Sequence, residues 1–159
     1  MRPIHGWTVA GAAALVLVAG CAPTPRAAQA SYTPRARYVT VTTVALMVKE
    51  DAAVLPFLKQ DFAKGGVLEG KEVYGFEPST ITVVAGDTIH FHFVNPEDDE
   101  HNFVLHDLFV KLPGQHIVDT TYVAGAPGIY DFACAIPAHL PMMHGTLLVL
   151  SPAAVTVAK

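Results

Sequence analysis

The sequence predicts an all-β domain, an antiparallel β-sandwich or barrel with one short helix inserted near its start. Three observations carry this. Apolar and β-branched residues alternate with polar ones in short runs, as in Tyr38-Val39-Thr40-Val41-Thr42 and Ile81-Thr82-Val83. Turn-forming Gly, Pro, Asn and Asp separate these runs at the close spacing of a sandwich, without the long helical stretches of alternating βα units. Helical spacing stands out once, at Val54, Leu58 and Phe62.

Each element follows from its own residues. The first strand starts at Tyr38 and runs to about Val48. A short helix fits residues 51–64, with Pro56 in or before its first turn and Gly65-Gly66 as its stop. Thr80 to Asn95 reads as strand, turn and strand: Ala85-Gly86-Asp87 turns the chain, and Ile89, Phe91 and Phe93 then share one face. Three more strands fit Asn102 to Val110, Gln115 to Val123 and Gly128 to Cys134, and a last one fits Gly145 to Leu150. The domain is expected over residues 38–151, followed by a tail over 152–159, with no internal repeat.

Composition narrows the function classes. Of 159 residues, 52% are hydrophobic and 15% charged, which excludes a disordered chain, and two Cys are too few for a disulfide scaffold. Residues 1–37 hold Arg2, Arg26, Arg35 and Arg37 and no acid, whereas from residue 38 on six Lys face 14 Asp and Glu, a net of −8. An acidic body argues against nucleic acid as partner.

The N-terminus reads as a targeting segment. Arg2 precedes the uncharged run Trp7 to Ala19, too short to span a bilayer comfortably, so residues 1–20 are expected to be a secretory signal peptide. Leu17-Val18-Ala19-Gly20-Cys21 resembles the lipobox of bacterial lipoproteins, which implies lipidation of Cys21 and an extracytoplasmic protein, in the periplasm or cell envelope, anchored to a membrane. Residues 21–37, rich in Pro and Ala, then form a flexible linker.

The chemistry lies near the C-terminus. Cys134, His139 and Met143 fall on one loop between two strands. A thiolate and thioether suit Cu(I), imidazole accommodates Cu(II), and a trigonal His2Cys plane with a distant Met lets both oxidation states share nearly one geometry. A second His must come from elsewhere. His101 is the best candidate, because it follows the polar turn Pro96 to Glu100 and points to the same side of its strand as Phe103 and Leu105.

Gly75-Phe76-Glu77-Pro78 leading into Ile81-Thr82-Val83 and Gly86-Asp87-Thr88, then His101-Asn102-Phe103, then the Cys134 loop make residues 72–150 resemble the cupredoxins, small blue copper proteins such as azurin, plastocyanin and auracyanin. Four residues separate Cys134 from His139 and three separate His139 from Met143, as in azurins. The resemblance implies a Greek-key β-sandwich and one type 1 copper per chain with ligands His101, Cys134, His139 and Met143. It also implies that Asn102 helps hold the thiolate, and that the protein carries single electrons without being an enzyme by itself. Two departures stand out: Glu100 replaces the Gly that precedes the first His in azurins, and the azurin disulfide has no counterpart.

Other readings of the same residues are weaker. Ala138 stands where a dinuclear copper site needs a second Cys. Met142 competes with Met143 for the axial role, and the spacing favours Met143. His90 and His92 alternate with core residues and face away from the core, and His106, His116 and His144 read as surface residues. Ile136, Pro137, Ala138, Leu140, Pro141 and Met142 form an uncharged collar, a docking patch around an exposed edge of His139. The expected partners are redox proteins: a cytochrome c, a quinol-oxidising complex, a terminal oxidase or a denitrification reductase. The alternative function is a copper-binding or copper-delivery lipoprotein with an exchangeable metal.

Overall fold

The computed structural model describes residues 32–139 and 142–155. Cys21, with the rest of residues 1–31, and Leu140 and Pro141 lie outside the described residues. Nine strands are formed among the described residues: β1 Ala36–Met47, β2 Val73–Glu77, β3 Thr80–Val84, β4 Thr88–Asn95, β5 His101–Leu105, β6 Leu108–Leu112, β7 His116–Val123, β8 Gly128–Ala133 and β9 His144–Leu150. They make two sheets, ordered β2-β1-β4-β7 and β3-β9-β8-β5-β6, which face each other across one core. The predicted sandwich is the observed one. Most ladders are antiparallel, while β1 runs parallel to β4 and β3 parallel to β9. Both parallel pairs join strands distant in sequence, as parallel pairing requires a long crossover.

Three local expectations change. Val73–Glu77 forms a strand that the sequence hides, because it is short and Gly75 interrupts its apolar alternation. The stretch Asn102 to Val110 is a hairpin rather than one strand: β5 and β6 turn at His106-Asp107, with His106 at φ 54° in the left-handed region, a turn without Gly or Pro. The inserted helix is broken into α1 Asp51–Val54, a 3-10 turn Pro56–Leu58 and α2 Lys59–Phe62. Leu55, which precedes the proline, leaves helical geometry at ψ 79°, so Leu58 turns inward while Val54 stays exposed.

The start of the domain also moves. β1 begins at Ala36, and Asp87, fully buried, accepts hydrogen bonds from the Tyr32 hydroxyl, the Arg35 N–H at 2.8 Å and the Arg37 guanidinium at 2.7 Å. Residues 32–37 of the expected linker therefore belong to the folded domain. Gly86 sits in this turn at φ 90°, where a side chain would be strained.

The core follows the pleat. Ile89, Phe91 and Phe93 of β4 pack against Phe103 and Leu105 of β5 and Phe132 of β8. Phe103 is central, with ring centroids 4.8 Å from Phe93 and from Phe132 and 5.5 Å from Phe76 and Phe91. From the Asp87 turn β4 carries the chain to Asn95, at the opposite end of the sandwich, where the turn over 96–100 and the loop after Cys134 meet.

Candidate metal centre

Three donor side chains converge at that end. His101 Nδ1 lies 3.1 Å from His139 Nδ1, and Cys134 Sγ lies 3.6 Å from the same His139 atom. Their ligand atoms all fall within 4.8 Å of one another, the one such trio among the described residues. His101 and Cys134 are fully buried and His139 is 6% exposed.

Local structure explains the convergence. The alternation of β5 sends His101 inward with Phe103 and Leu105. Cys134 continues the inward face of β8 two residues beyond Phe132. The loop then folds back on itself: the His139 N–H donates to the Ile136 carbonyl at 2.9 Å, and the Met143 N–H donates to the His139 carbonyl at 3.1 Å. The Cys134 N–H donates to the Met143 carbonyl at 2.9 Å, which closes the loop and brings Met143 back beside Cys134. Met143 is fully buried, whereas Met142 is 54% exposed. Gly145 lets β9 start here, since a side chain at this position would collide with the Phe132 ring and the Ser79 carbonyl.

The donor set fits copper. Burial, reinforced for His101 by its neighbour His139, pushes the His101 imidazole down to about 4, and burial lowers His139 as well. At neutral pH both rings are uncharged and present lone pairs. Two imidazole nitrogens and a sulfur meeting away from water form a coordination shell for a cation, and the mix of borderline nitrogen and soft sulfur selects copper over hard cations.

Residues that sequence reading did not single out frame the trio. Asn95, 2% exposed, accepts from Thr43 Oγ1 at 2.6 Å and donates to the Asp99 carbonyl at 2.8 Å, so it braces the turn that delivers His101. Tyr74 of β2 packs on both histidines, with ring centroids 4.6 Å from His101 and 4.7 Å from His139. For Tyr74 the sequence offers only its spacing of two from Phe76, which fits an inward face and does not mark the histidine contact. Asn102 Oδ1 accepts the Ala135 N–H at 2.7 Å, which places Asn102 beside the cysteine loop.

The rim differs from expectation in one respect. Pro137, Ala138 and Met142 are exposed and Ile136 is half-buried, but His139 lies beneath them with little edge in solvent, because Tyr74 covers it from one side. His90 and His92 face away from the core: His90 stacks on Tyr38 at 4.8 Å, and His92 Nδ1 lies 2.7 Å from Asp119 Oδ1. His106, His116 and His144 are exposed.

Residues 12–149 match the family described as the cupredoxin-like domain. The chain belongs to the cupredoxin family. The donor set of this cupredoxin and its fold fit one type 1 copper per chain. Similar solved structures include the copper nitrite reductase of Nitrosomonas europaea, at 20% identity and a TM-score of 0.54 over 78% of this chain and 45% of that one. Auracyanin A, a "blue" copper protein of Chloroflexus aurantiacus, is 19% identical with a TM-score of 0.48, over 72% of this chain and 99% of the other. Auracyanin of Roseiflexus castenholzii is 24% identical with a TM-score of 0.44, over 48% and 87%. At these identities the nitrite reductase likeness establishes the shared fold, and this cupredoxin spans less than half of that chain. None of the curated proteins matches the chain.

Proposed function

We propose that this cupredoxin carries single electrons between extracytoplasmic, membrane-associated redox partners, and that His101, Cys134, His139 and Met143 are the residues that would hold its copper. Bound there, the copper supplies a one-electron couple between Cu(II) and Cu(I). The chain's residues supply the rest. The neutral imidazoles and the thiolate offer a fixed donor triangle, the Asn102 side chain and the Met143 carbonyl hold the cysteine loop, and Phe103, Phe132 and Met143 exclude water. The partners this reading favours are a cytochrome c, a quinol-oxidising complex, a terminal oxidase or a denitrification reductase. The observation that carries the reading is the burial of the donor trio. A site closed on this scale keeps its metal and limits the solvent rearrangement that would slow electron transfer.

Copper delivery is the second reading, and it needs an open and exchangeable metal. The 6% exposure of His139, with the other two donors fully buried, favours the carrier. Lipidation at Cys21 after removal of residues 1–20 would keep the carrier near membrane-bound partners, and the lipobox-like residues support it.

One measurement tests the function. The protein loaded with one equivalent of Cu(II) is expected to show an intense visible thiolate-to-copper band, to bleach and recover through repeated reduction and oxidation, and to retain copper against a chelator. A pale, rapidly stripped copper site would overturn the carrier reading in favour of delivery.

A further inference from the structure

We propose that Tyr74 is the positioning residue of the histidine pair, acting as a wedge that sets both imidazoles and is itself pinned by two carboxylates. The inference rests on His101 and His139 being the ligands proposed above. A ligating histidine is ordinarily oriented by a hydrogen bond from its other ring nitrogen. His101 lacks one among the described residues: its Nε2 is buried and meets no hydrogen-bonding group there. Something else must stop that ring from turning, and Tyr74 is in place to do so. Its ring meets His101 edge-on at 68° and His139 at 56°, and the two imidazoles lie 4.8 Å apart, so the three rings touch one another in a closed triangle.

The wedge is held at its far end. The Tyr74 hydroxyl lies 2.5 Å from Asp99 Oδ2, to which it donates, and 3.1 Å from Glu72 Oε2. Burial, the Asp99 hydrogen bond and the charge of Glu72 all raise the phenol far above its usual range, so it keeps its proton and remains a donor. Lys49 Nζ, 3.5 Å from Glu72 Oε1, offsets part of the paired negative charge. The two acids connect Tyr74 to the segments that deliver the histidines, Asp99 directly and Glu72, which immediately precedes β2, through its backbone. Asp99 lies two residues before His101, in the turn braced by Asn95, and the Glu72 N–H contacts the carbonyl of Ala138, the residue before His139, at 3.4 Å. Through Asp99 on one side and the Glu72 backbone on the other, Tyr74 is thus connected to both ligand-bearing segments. Restricting ring rotation keeps the donor triangle constant between oxidation states, which lowers the rearrangement that accompanies each electron.

Tyr74 is 2% exposed, so its substitution leaves the docking surface and, with neutral replacements, the net charge unchanged. The test compares Tyr74→Phe and Tyr74→Leu with a core control, Phe76→Leu, all loaded with Cu(II). Tyr74→Leu removes the wedge and is expected to change the EPR rhombicity and the relative strength of the thiolate bands, and to slow electron self-exchange about tenfold, while one copper remains bound. Tyr74→Phe keeps the ring but loses the tether, so the spectrum is nearly retained and self-exchange slows about threefold. Phe76→Leu destabilises the fold and leaves spectrum and rate at their wild-type values. Wild-type spectrum and rate in both Tyr74 variants would overturn the proposal. If Tyr74→Leu does not fold, Tyr74→Phe decides alone, because a wild-type rate there excludes the tether. Failure of the ligand reading is seen separately, as the lack of a thiolate band in the unmutated protein.

Discussion

Asn102 Oδ1 accepts the backbone N–H of Ala135 at 2.7 Å, a side-chain bridge from β5 to the residue that follows the cysteine. It links the strand carrying His101 to the loop carrying Cys134, so two candidate ligands separated by 33 positions are held by one hydrogen bond and its flanking ladder. The neighbouring Cys134 N–H to Met143 carbonyl bond at 2.9 Å closes the other side. The sulfur is thereby fixed between two backbone clamps.

Removing the bridge should loosen the cysteine without unfolding the domain. Asn102→Ala is expected to cost about 1 kcal/mol of stability, the usual net contribution of one hydrogen bond. It should also broaden the thiolate band and speed copper loss to a chelator. Asn102→Asp keeps an acceptor at the same place and should restore the chelator resistance in large part. An Asn102→Ala protein with wild-type band shape and copper retention would show that the bridge does not control the thiolate.

Cys134→Ser separates fold from colour. The side chains are close in size, so the strand packing around Phe132 and Met143 should persist, with circular dichroism and the unfolding transition close to wild type. An alcohol is a poor soft ligand, and the visible band should vanish with copper bound weakly or not at all. Persistence of the band would remove Cys134 from the ligand set.

The axial ligand is tested by the two adjacent methionines. Met143→Leu conserves volume in the core, where such swaps usually cost less than about 1.5 kcal/mol. It removes a weak donor that favours Cu(II), so the blue colour should remain and the reduction potential rise. Met142, exposed at the rim, should give no shift when changed to Leu. The reverse pattern would place the loop one residue out of register.

Much of this fold was legible because burial imposes a period of two. Alternation alone puts Ile89, Phe91 and Phe93 on one face and His101 with Phe103 and Leu105, and all six side chains are buried. The loop from Cys134 to Met143 was legible because a thiolate, an imidazole and a thioether at that spacing have few other uses. The hidden parts have physical reasons. His106 turns a hairpin in the left-handed region with neither Gly nor Pro to mark it, so β5 and β6 read as one strand. Tyr74 acts through contacts made across 27 and 65 positions, and no local pattern marks a tyrosine that will stack on His101 and His139. Asn95 looks like an ordinary polar strand end, yet it braces the turn before His101 through the Asp99, Leu112 and Pro113 carbonyls.

Acid should unfold the protein partly through Asp87. Burial alone would raise this carboxyl, but hydrogen bonds from Tyr32, Arg37 and the backbone N–H groups of Arg35 and Val84 outweigh it and hold the group well below the usual carboxylate range. Because its folded-state value is depressed, the stability it contributes is fully present above the unfolded value of about 4 and is lost as pH falls below that. Asp87→Asn should therefore cost about 2 kcal/mol at pH 7, within the range for hydrogen bonds to a charged group, because the Arg37 side chain left behind is itself partly exposed. The gap between variant and wild type should narrow below pH 4. The visible band should be unchanged at pH 7, since Asp87 lies at the end of the sandwich away from the donor trio. A gap independent of pH would mean that the carboxylate charge is not what holds the turn.

The rim around His139 should govern encounters. Among its described residues Pro137, Ala138 and Met142 are exposed and uncharged, an apolar spot on an acidic domain that suits brief docking. Beside it the turn over 97–100 is already partly committed: Glu100 pairs with Lys111 at 2.8 Å and Asp99 receives the Tyr74 hydroxyl. Asp98, exposed on the same turn, is therefore the acid to change without disturbing a ligand-bearing contact. Asp98→Asn should lower the association rate with a basic redox protein at low salt and have little effect at high salt, because screening removes the steering in both proteins. Met142→Glu is the sharper perturbation. It should leave the visible spectrum intact, since Met142 points away from the donor trio, and slow electron self-exchange about tenfold by opposing like charges across the docking face. A self-exchange rate equal to wild type, with the spectrum preserved, would place the docking surface elsewhere and leave His139 with a ligand's role alone.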